Sequence, residues 1–148
     1  MGPDAVAPYG GRAYLADTSA WAAGRDPAVR RDWAAALRGG QIATTPVVRL
    51  ELLYAARSAE EFDAIGAECA QLRDIPITRS VTNAALGAYR QLARGRPLAH
   101  RAVRTRDLLV AAAAQDAGLG VLHYDAGFDV LATVLGFESR WIAPAGSL

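Results

Sequence analysis

The chain has 148 residues, a formal net charge of +1 and a hydrophobic fraction of 52%. This length suits a single domain with a sizeable core, and the nearly neutral charge argues against a strongly basic nucleic-acid-binding domain. The single cysteine, Cys69, excludes an internal disulfide framework, and two histidines are too few for a His-rich zinc site. All sixteen basic residues are arginine, which excludes chemistry that needs lysine, such as a P-loop or a Schiff base.

The first twelve residues are rich in proline, glycine and alanine and lack the basic and apolar regions of a signal peptide. We expect 1–12 to be a flexible N-terminal extension that precedes a single domain over 13–148. The longest apolar run, 108–114, is far shorter than the roughly 20 residues that a membrane span needs. We therefore expect a cytoplasmic protein with no membrane contact.

Strand and helix patterns alternate along the chain. Strands are predicted at 14–16, 41–44, 75–77, 120–124 and 139–142, and helices at 18–24, 26–38, 46–57, 58–72, 80–93, 105–117 and 126–135. The strand at 75–77 is expected at an edge because Pro76 cannot donate to a ladder. Alternation without internal repeats predicts an α/β domain, with a small, mostly parallel sheet between layers of helices.

Two acids directly follow predicted strands. Asp17 comes after the first strand and Asp125 after the strand at 120–124. Asp17 either caps the following helix or stands at the C-terminal edge of the sheet, where open α/β sheets place their chemistry. If the two strands are neighbours at the point where the strand order reverses, the two carboxylates converge there.

Three further acids are unusual in their surroundings. Glu51 lies on an apolar helix face, where an ionised carboxylate costs several kcal/mol unless something pairs with it. Its partner is either an arginine or a metal ion. Asp107 stands in a first helical turn, which the helix dipole alone favours by roughly 0.3–1 kcal/mol. Asp129 lies one turn after Asp125, a spacing at which like charges repel unless they share a cation.

These acids together predict a site for a hard metal ion. Clustered carboxylates cannot all stay ionised without a counter-charge. Ligands that are all oxygen atoms favour Mg²⁺ or Mn²⁺ over zinc. Such a site suits phosphodiester hydrolysis, because the metal activates a water molecule and stabilises the charge on phosphate and leaving oxygen.

The order and context of these residues resemble the PIN-domain ribonucleases, and more narrowly the VapC toxins of bacterial toxin–antitoxin pairs. The resemblance covers roughly 13–144. It is carried by Asp17-Thr18-Ser19 after the first strand, Pro-Val-Val-Arg-Leu-Glu51-Leu, Asp107-Leu-Leu-Val-Ala-Ala-Ala and His123-Tyr-Asp125-Ala-Gly-Phe-Asp129. It implies a PIN-like three-layer α/β/α fold and an Mg²⁺- or Mn²⁺-dependent endoribonuclease.

Carried over position by position, the resemblance matches Asp17, Glu51, Asp107 and Asp125 to the family's catalytic and metal-binding acids. Asp129 matches a further acid that many members have. Thr18 and Ser19 match small hydroxyl residues that we expect to orient carboxylates or water. The family also implies a homodimer, an RNA substrate and a small cognate antitoxin that masks the active-site groove.

The sequence departs from the family pattern at two places, the dozen residues before the first strand and His123. Many members have Thr or Ser where this chain has His123, and a histidine there either packs or hydrogen-bonds an acid. Arg101, Arg104 and Arg106 precede Asp107 and either steer an RNA backbone or form an ordinary solvated loop.

Two other functions fit parts of the sequence. One is a non-catalytic PIN-like module that binds RNA or protein. The other is an Mg²⁺-dependent phosphatase that forms an aspartyl-phosphate, although this chemistry usually needs a lysine, and an acid where the chain has Ser19.

Overall fold

The computed structural model describes residues 7–148, in which five short strands form one sheet. The strands are β1 (Tyr14–Ala16), β2 (Ile42–Thr44), β3 (Arg73–Asp74), β4 (Gly120–His123) and β5 (Ser139–Trp141). Their order is β3-β2-β1-β4-β5, and every neighbouring pair is parallel. The predicted small parallel sheet is therefore confirmed.

Within residues 7–148, seven α-helices connect and cover the strands. They are α1 (Thr18–Ala23), α2 (Arg30–Arg38), α3 (Pro46–Tyr54), α4 (Ala59–Ala70), α5 (Arg79–Gly95), α6 (Thr105–Ala117) and α7 (Gly127–Leu131), with 3₁₀ turns at Pro8–Gly11 and Ala99–Ala102. Ser58 caps α4 as its sequence predicts, because its hydroxyl accepts from the Glu61 N–H at 3.0 Å. Gly118, at the left-handed φ of +69°, ends α6.

The core lies on both faces of the sheet. Successive residues of a strand point to opposite faces, and β1 follows this rule. Leu15 packs in a cluster with residues of α5 and α6, whereas Tyr14 and Ala16 pack in a second cluster that includes Trp33 of α2. Helices therefore cover both faces, which gives the expected three-layer arrangement.

β1 and β4 are the central strands, and the order of the chain reverses between them. The chain moves outward from β1 through β2 to β3, and the later strands β4 and β5 extend the sheet on the other side. Ala16 is in register with Leu122, and the N–H of Asp17 donates to the Leu122 carbonyl at 2.9 Å. The carboxyl ends of β1 and β4 thus lie side by side at the topological switch point.

Most predicted elements differ from the structure by one to three residues at an end, and the largest differences are in the third strand and in the second and last helices. β3 is at 73–74 rather than 75–77: the Ile75 N–H still donates to Thr44 at 2.7 Å, but Pro76 has no N–H to continue the ladder. The second helix begins at Arg30, because the Asp26 carboxylate accepts from the Ala28 N–H at 2.9 Å and forms a turn.

The helix predicted at 126–135 forms only as α7, which ends at Leu131. The Thr133 hydroxyl and N–H both donate to the Val130 carbonyl, at 2.6 and 3.1 Å. These bonds form a tight turn instead of a further helical turn.

Part of the predicted N-terminal extension, 1–6, lies outside the described residues. The part inside them packs against the domain. The Gln41 side-chain amide donates to the carbonyls of Pro8 and Arg12 at 2.8 and 2.9 Å, and the buried Tyr9 ring meets Tyr14 edge-on. No helix within 7–148 combines the length and apolar character needed to cross a membrane.

Candidate active site

Asp17 lies immediately after β1 and is 1% exposed. Its Oδ2 accepts from the Ser19 N–H at 3.0 Å and from the Ser19 hydroxyl at 2.6 Å. The same hydroxyl accepts from the Tyr124 N–H at 2.9 Å, which ties the end of β1 to the segment after β4. Asp17 therefore caps α1 and also stands at the C-terminal edge of the sheet, so the two alternatives for this residue hold together.

Asp107 is the second deeply buried acid, also 1% exposed, in the first turn of α6. Burial is the main reason that its pKa is raised, and repulsion from Asp17 and Asp125 adds to this effect. Arg106 and Arg104 act in the opposite direction and lower it in part. Asp107 shares Arg106 with Asp17 and Arg104 with Asp125, so the three carboxylates lie close together.

Arg106 is the charged group at the centre of these acids. Its guanidinium, with the side chain 20% exposed, contacts the carboxylates of Glu51 and Asp107 and the Oδ1 of Asp17, the last at 2.9 Å. It also donates to the Thr18 hydroxyl at 3.2 Å. One arginine thus joins acids from the end of β1, from α3 and from α6, and it provides the internal ion pair that the sequence left open for Glu51.

Arg104 joins the fourth acid to the same cluster. It contacts Asp107 Oδ2 at 3.2 Å and Asp125 Oδ2 at 2.6 Å, while its own side chain is 62% exposed. The other oxygen of Asp125 accepts from the Gly127 N–H at 2.9 Å. Four carboxylates from four elements are therefore held around two guanidinium groups, and we call Asp17, Glu51, Asp107 and Asp125 the acid cluster.

Arg101 lies apart from the acid cluster. It is exposed on the 3₁₀ turn Ala99–Ala102 and forms no ion pair with any residue of 7–148. Of the three arginines that were candidates for RNA contact, two are thus engaged with the acids and one faces solvent.

His123, the last residue of β4, is fully buried. Its Nδ1 accepts from the Asp125 N–H at 3.1 Å and its Nε2 lies 2.7 Å from the Ser139 hydroxyl. The ring stacks on Phe128, with 5.0 Å between centroids. Burial lowers the pKa of His123, despite the nearby acids that would raise it, so the neutral ring is favoured. Of the two expectations for this residue, the structure shows packing; the hydrogen bond that His123 accepts from Asp125 comes from the backbone N–H and not from the carboxyl group.

Asp129 faces β5 rather than the two arginines. Its Oδ1 accepts from the Ser139 hydroxyl at 2.7 Å and its Oδ2 from the Trp141 indole N–H at 2.9 Å. Burial raises the pKa of Asp129, but these two hydrogen bonds and the field of His123 outweigh it and lower the pKa overall. The structure therefore brings four of the five predicted acids together and places Asp129 in a separate network.

The donor set of the acid cluster fits a hard divalent ion. All its side chains offer carboxylate oxygens, the ligand type of Mg²⁺ and Mn²⁺. As the side chains stand, no three His, Cys, Asp or Glu residues within 7–148 form a group that could hold a metal ion. Arg106 accounts for this, because its guanidinium lies among the carboxylates and supplies the positive charge that an ion would otherwise supply.

A cavity of about 440 Å³ adjoins the acid cluster and shares Thr18 and Glu51 with it. It lies between α1, α3 and α4, and its walls include Trp21, Leu52 and the buried Cys69. The cavity is large enough to take part of a bound ligand next to the acids.

Ser139 and Trp141 hydrogen-bond Asp129 beside the site but were not predicted as site residues from the sequence. Both lie on β5, and their positions two residues apart place them on the same face of the strand. A hydroxyl and an indole N–H on one face of a short strand indicate that this face contacts a hydrogen-bond acceptor on another element. Which acid they contact depends on the pairing of β5 with β4, which a single sequence does not reveal.

Comparisons with known proteins agree on one family. The family model described as "PIN domain" matches residues 14–134. The chain is 42% identical to Ribonuclease VapC18 of Mycobacterium tuberculosis over 91% of this chain and 98% of that relative. It is 39% identical to Ribonuclease VapC51 of the same organism, over 91% and 96%. Among solved structures, it is similar to VapBC-5 of M. tuberculosis, a member of the VapBC family of toxin–antitoxin systems, with a TM-score of 0.58, 26% identity and coverage of 87% and 98%.

Proposed function

The chain belongs to the PIN-domain family, and on this premise we propose that it is a divalent-metal-dependent endoribonuclease and the toxin of a toxin–antitoxin pair. The reaction is hydrolysis of an RNA phosphodiester bond. The observation that carries the proposal is the acid cluster, whose four carboxylates come from four elements and meet around two guanidinium groups at the switch point of the sheet.

Asp17, Glu51, Asp107 and Asp125 would hold Mg²⁺ or Mn²⁺. A bound ion of this kind supplies an activated water and stabilises the charge that develops on the phosphate and the leaving oxygen. The residues of the chain fix the ligands: Ser19 donates twice to Oδ2 of Asp17, and the Gly127 N–H donates to Oδ1 of Asp125. Asp17 and Asp125 therefore each have one oxygen bonded to the segment that follows them and the other directed at an arginine.

Arg106 and a divalent ion would compete for the same carboxylates, because two cations placed close together repel each other. Arg106 and Arg104 both contact the acid cluster and would bind the phosphate of an RNA held there, since arginine forks match phosphate geometry. Arg101, exposed on its turn, would contact the RNA backbone farther from the site. Of the two alternatives that the sequence left open for these arginines, RNA contact and an ordinary solvated loop, we therefore propose RNA contact.

The proposed partners are the RNA substrate, a small cognate antitoxin and a second copy of the chain in a homodimer. The antitoxin is supported by VapBC-5, whose structure is of a toxin–antitoxin system. Large apolar side chains on α3 and α4, such as Tyr54 and Phe62, are exposed and could be covered by a partner. The RNA substrate makes the cytoplasm the proposed location.

The test is cleavage of structured RNA by the purified chain, with Mg²⁺, with Mn²⁺ and with EDTA. Asp17→Asn removes one charge and keeps the cap of α1, because asparagine is also a good N-cap residue. We expect cleavage only with metal, and a loss of about 100-fold or more in the variant. The control is Asp63→Asn, an exposed acid on α4, which should cleave like the wild type.

The outcomes separate the alternatives. Undiminished cleavage by Asp17→Asn would contradict the assignment of the site. Metal and RNA binding without cleavage by the wild type would indicate a non-catalytic module. Release of phosphate from small phosphate esters, with RNA left intact, would indicate a phosphatase.

A further inference from the structure

We propose that Asp129, Ser139 and His123 form a hydrogen-bonded chain that positions Asp125, and that Asp129 is a positioning residue and not a metal ligand. The proposal rests on the proposed function for the metal-binding role of Asp125. The hydrogen bonds that support it join Asp129, Ser139 and His123 and do not depend on that role. We call these residues the positioning chain. It begins at α7, passes through β5 and ends at the backbone N–H of Asp125.

The direction of every hydrogen bond in the positioning chain follows from its last bond, which the backbone N–H of Asp125 donates to His123. The Asp125 backbone N–H donates to Nδ1 of His123, so Nδ1 carries no proton. A neutral imidazole then has its proton on Nε2, which donates to the Ser139 oxygen at 2.7 Å. The Ser139 hydroxyl in turn donates to Oδ1 of Asp129 at 2.7 Å. Only this tautomer of His123 satisfies all three contacts.

Both carboxylate oxygens of Asp129 accept hydrogen bonds at this end of the positioning chain. Ser139 donates to one carboxylate oxygen and the Trp141 indole N–H to the other, at 2.9 Å. Within 7–148, Asp129 takes part in no ion pair, whereas each member of the acid cluster contacts Arg104 or Arg106. Its two donors, both on β5, hold the carboxylate toward that strand rather than toward the acid cluster.

The sheet fixes His123 in this position. His123 is in register with Trp141 on β5, and its carbonyl accepts from the Ile142 N–H at 2.8 Å. Its ring packs between Phe128 and Trp141, each 5.0 Å away between centroids. Because the ring cannot turn freely, its Nδ1 provides a fixed acceptor for the Asp125 N–H. The carboxylate carbon of Asp125 is only three bonds from that backbone nitrogen, so the position of the nitrogen affects where the carboxylate lies.

Ser139→Ala tests the positioning chain, because it leaves the Nε2–H of His123 without an acceptor. We expect ¹⁵N NMR of the metal-free wild type to show His123 protonated at Nε2, and the variant to show a mixture with the Nδ1-protonated form. We expect Mn²⁺ to bind the variant about 10-fold more weakly in calorimetry, a loss typical of residues that orient a ligand. Cleavage should lose kcat with little change in KM.

Three further variants make the test specific. Ser139→Thr keeps the hydroxyl and should restore the tautomer and the Mn²⁺ affinity. Trp141→Phe leaves the bond between Ser139 and Asp129 in place and should change the Mn²⁺ affinity much less than Ser139→Ala. Ser147→Ala removes an exposed hydroxyl near the C-terminus and is the matched control.

Two results would overturn the proposal. One is a wild-type His123 that carries its proton on Nδ1. The other is Ser139→Ala with unchanged tautomer and Mn²⁺ affinity, while Asp129→Ala abolishes Mn²⁺ binding, as expected for a ligand. A wild type that cleaves no RNA would contradict the proposed nuclease but not the positioning chain, since the tautomer is measured without metal or RNA.

Discussion

Arg106 is the central positive charge of the site, because its single side chain pairs with acids from three parts of the chain. Asp17 and Asp107 are almost completely buried, and a buried carboxylate without a partner costs several kcal/mol. Arginine suits this position, since its planar guanidinium can donate to several carboxylates at once and keeps its charge at any physiological pH. The metal-free protein therefore carries its own counter-charge.

Arg106→Ala should make the metal-free protein less stable and the metal complex easier to form. We expect a loss of roughly 3 kcal/mol in the free energy of unfolding in EDTA, because three carboxylates lose their shared partner. We also expect tighter Mn²⁺ binding, since the ion no longer competes with a guanidinium. Urea unfolding and calorimetry measure the two effects. Arg101→Ala, which removes an arginine without an ion pair in the described chain, should change neither quantity. Weaker Mn²⁺ binding by Arg106→Ala would contradict the competition.

At the scale of elements, the position of β4 decides whether Asp125 and His123 reach the site. β4 begins at Gly120, where there is no space for a side chain: an added Cβ would lie 2.7 Å from the Tyr14 ring and 2.8 Å from the Glu138 carbonyl. A carbonyl cannot move away without disturbing the pairing of β4 with β5. The glycine thus permits the close approach of three strands.

Gly120→Ala should destabilise the protein by about 1–3 kcal/mol, as expected for an overpacked core. Gly87→Ala on α5 is the matched control, because an added Cβ there meets nothing within 4 Å. Alanine favours a helix over glycine, so this control should be neutral or stabilising by roughly 0.5–1 kcal/mol. Thermal unfolding of both variants measures the difference. Equal melting temperatures would show that β4 tolerates a displacement of its first residue.

The sequence predicted most elements because their signals are local. A cap such as Ser58 or a terminating glycine such as Gly118 acts within one helical turn. The differences at β3, α2 and α7 have local causes as well. Pro76 ends the ladder of β3, a hydrogen bond to the Asp26 side chain delays the start of α2, and a hydrogen bond from the Thr133 side chain accompanies the early end of α7. The acids were predicted because each is unusual in its own surroundings. Their pairing with Arg104 and Arg106, and the contact of Asp129 with Ser139, depend on tertiary structure and were not predictable from spacing.

At the scale of the whole molecule, the stability of the fold is separate from metal binding. Two apolar clusters, one on each face of the sheet, provide the core. Burial of apolar surface is the main stabilising contribution to folding, so the fold does not depend on a metal ion. This differs from small zinc domains, in which the metal supplies the folding energy.

Removal of divalent ions with EDTA should therefore leave the protein folded. We expect an unchanged circular dichroism spectrum and a cooperative thermal transition, and a higher melting temperature after Mg²⁺ or Mn²⁺ is added back, because a ligand that binds only the folded state stabilises it. The rise should grow with ion concentration. The melting temperature in EDTA buffer free of calcium and magnesium is the reference for this rise. Loss of the cooperative transition in EDTA would contradict this separation.

The strand order has a consequence for the synthesis of the protein. Asp17 and Glu51 belong to the first half of the chain, whereas Asp107, Asp125 and the positioning chain belong to its last third. A nascent chain therefore has only half of its acid cluster while β1 to β3 emerge from the ribosome. The site can assemble only after β4 inserts beside β1 and β5 closes the edge. A nuclease built in this order would lack a complete acid cluster until Asp125 has left the ribosome and β4 has paired with β1.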